Sequence, residues 1–198
     1  MAKILVCGVG SLGSNLVSCL VPDLRGQHEI TILDKDKVEE RNIQAGTQFY
    51  TADQIGQNKV EASQYNIYKW YEKEIEIFKG EFEEFLSSKN IGAWDLLIDC
   101  FDNYEARDLI QRIANDLGIG SACLHLGLSD QMTFEISWAE NYKVPSDITS
   151  GWDVCEMEGA ASFIKMVSAL ASSVIQHYLT TGEKKEYIGN RFSIRKIK

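Results

Sequence analysis

The run Gly8-Val9-Gly10-Ser11-Leu12-Gly13, placed directly after Lys3-Ile4-Leu5-Val6-Cys7, constrains this chain more than any other feature. The short β-branched-rich run ahead of the glycines reads as a strand, and the apolar spacing from Ser14 to Leu20 reads as a helix. Glycines at such a turn let the backbone approach a phosphate, while the helix N-terminus offers N–H donors and a positive dipole end. Gly8, Gly10 and Gly13 are therefore candidate nucleotide-binding residues. The pattern alone does not choose among NAD, FAD and ATP. Val21 to Gly26, with Pro22, reads as a loop, and Glu29 to Leu33 as a second strand closing in Asp34-Lys35-Asp36. Strand, helix and strand in this order imply a right-handed crossover and a parallel sheet. Asp34 is placed to accept hydrogen bonds from ribose hydroxyls.

The rest of the chain extends this pattern. A helix is expected from Ala52 to about Tyr68 behind Thr51, a strand over Ile75–Phe78 and a short helix over Phe82–Ser87. Trp94 to Cys100 has the unbroken apolar centre of a strand buried on both faces. Tyr104 to Leu117 is helical, Ser121 to Leu128 extended, and Met132 to Trp138 alternates as a half-exposed antiparallel strand. A long loop over 141–157, of the kind that forms lids or binding loops, leads to a helix from Ala160 to Leu179. A hairpin, Glu186–Ile188 and Phe192–Ile197, turns at Gly189-Asn190. The expected fold is α/β: a doubly wound, mostly parallel, Rossmann-like sheet with a C-terminal antiparallel extension. It forms a single domain with a nucleotide-binding core at 1–128 and the extension at 129–198.

Charge and cysteines narrow the function. With 20 Lys plus Arg against 29 Asp plus Glu, the net charge of −9 argues against a nucleic-acid surface. The five cysteines, Cys7, Cys19, Cys100, Cys123 and Cys155, include no C-x-x-C pair, so neither a disulfide framework nor a zinc knuckle is encoded. No continuous apolar stretch reads as a secretory signal or a membrane span, and a reducing cytoplasm is the expected compartment.

Four motifs follow the glycines in order: Asp34-x-Asp36-x-Val38-Glu39-x-x-Asn42, Gln48-Phe49, Ile55-Gly56-x-x-Lys59 and Asp99-Cys100-Phe101-Asp102-Asn103-x-x-x-Arg107. The series resembles the ThiF/MoeB family, which includes the adenylation domains of ubiquitin-activating enzymes. The resemblance implies an ATP-dependent adenylyltransferase in which a C-terminal carboxylate of a small ubiquitin-like or sulfur-carrier protein attacks the α-phosphate of ATP. It further implies Mg²⁺ as cofactor, and a homodimer. Carried over residue by residue, Lys59 and Asn42 serve the phosphates, Asp102 organises Mg²⁺, and Asp34, Asp36 and Asn103 help hold the nucleotide. Arg107 is expected to be structural, fixing the loop that carries Asp102.

Two departures matter. Family members continue Asn-x-x-Arg-Gln-Phe, whereas this chain runs Asn42-Ile43-Gln44-Ala45-Gly46-Thr47-Gln48-Phe49, two residues longer and without that arginine. Arginine fingers can contribute orders of magnitude in rate. Arg41 is the candidate substitute, and a non-catalytic nucleotide-binding scaffold is the alternative reading. The paired C-x-x-C zinc motifs of many family members are absent, so no zinc is expected. Cys155 is the one cysteine outside an expected core element, and hence the candidate thiol. Flanking Asp153 and Glu156 disfavour a thiolate there and make an ordinary loop cysteine the preferred reading. An NAD-dependent oxidoreductase shares the glycine turn and Asp34, but gives no reason for Lys59 and Asp102-Asn103.

Overall fold

The computed structural model describes residues 1–89, 94–116, 122–145 and 154–198. Strands β1 (Lys3–Cys7), β2 (Glu29–Asp34), β3 (Glu76–Lys79), β4 (Leu96–Asp99) and β5 (Ala122–Leu128) run parallel. Strands β6 (Thr133–Trp138), β7 (Tyr187–Asn190) and β8 (Ser193–Lys196) extend them antiparallel, in the order β3-β2-β1-β4-β5-β6-β7-β8. The helices are α1 (Ser11–Leu24), α2 (Glu40–Gln44), α3 (Lys59–Tyr71), α4 (Phe82–Ser88), α5 (Tyr104–Asp116) and α6 (Ala160–Thr181).

Alternation along the central strands builds two cores, because successive side chains point to opposite faces. Ile4, Val6, Ile32, Ile98 and Leu124 pack with α1, α3 and α6, while Leu5, Cys7, Leu33, Leu97 and Cys123 pack with α4 and α5. Register aligns the carboxyl ends: Cys7 pairs with Leu33 on one side and Asp99 on the other, and Asp99 pairs with His125. Ligands of open α/β sheets bind along this edge.

Four local expectations are corrected. Helix α1 runs through Pro22 to Leu24, because Val21 and Leu24 are buried and sustain it; Arg25, at φ 53°, ends it. The helix expected from Ala52 is divided into a 3₁₀ turn, Ala52–Gln54, and α3 starting at Lys59. Gly56, at φ +89°, interrupts it, and Asn58 bridges to Lys37. Strand β6 is largely buried instead of half-exposed, because the chain folds back at Trp138 and sets Tyr142 over His125, which pairs with Ser137. The last hairpin turns at Arg191-Phe192, since Asn190 still pairs with Ser193. Of the long loop, 146–153 lies outside the described residues, and Val154–Glu156 is a 3₁₀ turn.

Candidate functional site

The glycine turn closes β1 and opens α1. Gly8 adopts φ +86° and donates its N–H to Leu33 O at 2.8 Å. A Cβ on Gly13 would lie 1.9 Å from Gly8 O, so close helix–strand packing demands glycine there. Gly10 differs: it is the N-cap of α1, no side chain caps the helix there, and a Cβ on it would meet nothing within 4 Å. The turn therefore presents the orphan N–H groups of a helix N-terminus beside open space.

Asp34 holds the turn from below. One carboxylate oxygen accepts Val9 N–H and the other accepts Asp36 N–H, both at 2.8 Å, and only 6% of the residue is exposed. Burial pushes its pKa up, against the counter-pull of the Lys59 charge and of these two bonds. Asp36 is half-exposed and faces Lys59 Nζ at 3.3 Å, while Lys59 itself is 9% exposed. Lys59 opens α3, and its backbone N–H bonds to Asp36 O at 2.9 Å. One corner thus carries a buried carboxylate, an accessible one and a cation.

Across the turn, the segment after β4 borders Gly8, where an added Cβ would meet Phe101 at 3.0 Å and the Cys100 backbone at 3.2 Å. Asp102 is exposed, and the cap of α5 falls to Asn103, whose side-chain oxygen accepts Ala106 N–H at 2.9 Å. Arg107 is buried and donates to Tyr142 Oη at 2.9 Å and Leu126 O at 2.8 Å. Burial works against its charge, but Asp99 and Tyr142 outweigh it and hold the guanidinium further protonated.

The segment that lacks the expected arginine wraps over α1. Asn15 Nδ2 donates to Thr47 O at 2.8 Å, Phe49 N–H to Ser14 Oγ at 3.1 Å and Tyr50 Oη to Val9 O at 2.5 Å. Burial raises the Tyr50 pKa and keeps it a donor. Asn42 is buried, and its Oδ1 caps α2 at Glu39 N–H, 2.8 Å away. Arg41 stands on the exposed face of α2, paired with Glu39 at 2.5 Å. Cys155 is partly buried, with its Sγ 2.9 Å from Ser11 Oγ in the first turn of α1. By contrast, burial drives the Cys7, Cys100 and Cys123 thiols well up, leaving them protonated.

Sequence reasoning missed Asn15, Thr47 and Tyr50, which brace the glycine turn. Asn15 did carry a signal, a polar residue inside the apolar stripe of α1. Thr47 and Tyr50 carried none, since their partners lie 32 and 41 residues away. Among the described residues, no three His, Cys, Asp or Glu side chains gather as a metal site, and no helix is long and apolar enough to cross a membrane.

Glycine turn, acidic strand end and facing lysine at the carboxyl edge of a mostly parallel sheet define a Rossmann-like α/β domain. Within that class the chain belongs to the ThiF family, whose model matches residues 1–196. It is 32% identical over 131 residues to ubiquitin-like modifier-activating enzyme 5 of Culex quinquefasciatus, covering 59% of this chain and 32% of that protein. Against the Caenorhabditis elegans protein of the same name it is 26% identical over 212 residues, 93% of this chain and 49% of that one. The chain thus spans about a third to a half of these relatives. In fold it resembles Escherichia coli MccB, solved with AMPCPP and MccA, at TM-score 0.76 and 15% identity over 98% of this chain and 63% of that one. PaaA aligns at TM-score 0.70 and 20% identity over 99% of this chain and 62% of that one.

Proposed function

We propose that this chain adenylates the terminal carboxylate of a small ubiquitin-like or sulfur-carrier protein or peptide. A carboxylate oxygen attacks the α-phosphorus of ATP, the bond to the bridging oxygen of pyrophosphate breaks, and an acyl adenylate and pyrophosphate result. The observation that carries the reading is Gly10. Packing accounts for Gly8 and Gly13, whereas the open space at Gly10 faces a helix N-terminus suited to phosphate. Support for the substrate class comes from relatives named for activating a ubiquitin-like modifier, and from MccB solved with an ATP analogue and MccA.

In this reading Asp34 is occupied in shaping the turn, and the more exposed Asp36 accepts the ribose hydroxyls. Lys59 and the Asn42 amide offset the charge that gathers on the phosphates, with Asn103 closing the rim. The donor chemistry of Asp102, an exposed carboxylate relieved of helix capping by Asn103, fits Mg²⁺, a hard cation that prefers oxygen ligands. Bound Mg²⁺ supplies charge neutralisation at the triphosphate. Arg41 takes the place of the missing arginine, and two copies form the working dimer in the cytoplasm.

One observation favours a second step. Cys155 Sγ lies 2.9 Å from Ser11 Oγ in the first turn of α1, beside the proposed nucleotide site. The Cys155 sulfur attacks the adenylate's acyl carbon, its proton passes to solvent, AMP leaves, and a thioester forms.

The test is ATP–pyrophosphate exchange with a carrier ending in Gly-Gly. Wild type is expected to exchange, and Asp102→Ala to lose at least about 100-fold, the usual cost of removing one group that stabilises transition-state charge. ATP binding without exchange for every carrier tried would shift the assignment to a scaffold subunit. Tight NADH binding without ATP binding would shift it to an oxidoreductase.

A further inference from the structure

Beneath the Asp102 loop lies a polar network enclosed by the sheet. Asp99, the last residue of β4, and His125 of β5 are both fully buried. One Asp99 oxygen accepts Phe101 N–H at 3.0 Å, which fixes the direction in which the chain leaves the strand toward Asp102. The other accepts from His125 Nδ1 at 2.8 Å and from Arg107 Nη1 at 3.4 Å. Arg107 Nη1 also donates to Tyr142 Oη at 2.9 Å, and the Tyr142 ring lies flat on that of His125, with centroids 4.0 Å apart and planes 9° apart.

Tyr142 belongs to the segment that follows β6, far from β4 in sequence. It touches both side chains that share the second Asp99 oxygen, so its seating is felt at the Phe101 turn through two intervening residues on each path, His125 or Arg107 and then Asp99. A fully buried carboxylate keeps one orientation only while its partners are in place, since an unpaired buried charge is costly. We infer that Tyr142 and His125 are positioning residues for Asp102, coupling the segment after β6 to the loop that carries the proposed Mg²⁺ ligand. The inference rests on the adenylation reading for the role of Asp102; the coupling itself rests on these contacts.

The test compares full-length wild type, Tyr142→Phe, Tyr142→Leu and Ile110→Val. Tyr142→Phe removes the hydroxyl and keeps the stacked ring, Tyr142→Leu removes both, and Ile110→Val trims a buried methyl from α5 without altering a hydrogen bond. Two readouts are taken: amide hydrogen exchange at Phe101 without nucleotide, and the Mg²⁺ concentration giving half-maximal ATP–pyrophosphate exchange. Phe101 exchange is expected to quicken about tenfold in Tyr142→Phe and further in Tyr142→Leu, as for one lost hydrogen bond to a charged group. The Mg²⁺ requirement is expected to rise in the same order. Unchanged Phe101 exchange, an unchanged Mg²⁺ requirement, or equal effects in Ile110→Val would overturn the inference. Failure of the adenylation reading shows separately, as wild type that binds ATP but gives no pyrophosphate exchange with any carrier, while Phe101 exchange, taken without nucleotide, still tests the coupling.

Discussion

Gly10 and Gly13 sit three residues apart and answer to different demands. At Gly13 the clash is internal, since a Cβ would overlap Gly8 O at 1.9 Å. Gly13→Ala is expected to cost about 1–3 kcal/mol, the range for forced overpacking, as measured by urea unfolding. Gly10→Ala keeps stability within about 1 kcal/mol, because alanine only replaces a tolerated N-cap. Its effect falls on the ligand, and ATP titration should show affinity lost. Reversed outcomes, with Gly10→Ala unfolding the protein and ATP binding intact in Gly13→Ala, would remove the reason for placing phosphate at this turn. Asp34 adds a pH signature. Its folded pKa is raised above the ordinary value of 3.8, so its contribution to stability is complete below that value and declines as pH rises through the folded pKa. Relative to Asp34→Asn, which does not titrate, the wild type should lose stability across the weakly acidic range just above pH 3.8, in unfolding curves taken at successive pH values.

At the scale of elements, the approach to Lys59 shows how a backbone break places a cation. Val38 N–H bonds to Gln57 O at 2.8 Å and Gly56 N–H to Val38 O at 2.9 Å, clamping 55–58 against the segment after Asp36 before α3 begins. Gly56 at φ +89° makes that clamp possible. Gly56→Ala is expected to cost about 1–2 kcal/mol from left-handed strain and to weaken ATP binding by moving Lys59 away from Asp36. Loss of stability with unchanged ATP affinity would separate the clamp from the site. The sequence made strands and helices legible wherever period and burial agree: β1, β4 and the start of α1 follow directly from their apolar patterns. It misled where one residue overrides a pattern, as Gly56 does in splitting the expected helix, or where burial overrides a breaker, as at Pro22. Candidate site residues at or just beyond a strand end, Asp34 closing β2 and Asp102 following β4, could be located from sequence. Bracing partners such as Thr47, Tyr50 and Tyr142 could not, because local spacing contains no information about contacts formed by chain return.

On the scale of the whole molecule, the last long helix finishes what the first one starts. Helix α6 covers the same face as α1, and Ser168 Oγ reaches Leu12 O at 3.2 Å in the first turn of α1. Further along, Ser172 Oγ donates to Asp23 at 2.7 Å. Ser168, Ala171 and Ser172 are all fully buried, so small side chains set how closely the two helices approach. Residues 1–128 thus lack part of the core that seats α1. Ala171→Leu is expected to push α6 outward at a cost of about 1–3 kcal/mol, and to lower Tm by roughly 2–12 °C for a chain of this size. Because α1 carries the glycine turn at its N-terminus, the same substitution should also reduce ATP affinity, although position 171 is more than 150 residues from Gly13 in sequence. Ser173→Leu, on the exposed side of α6, is the control and should change neither quantity. A fall in Tm with intact ATP binding in Ala171→Leu would mean that α6 supports the core without setting the position of α1.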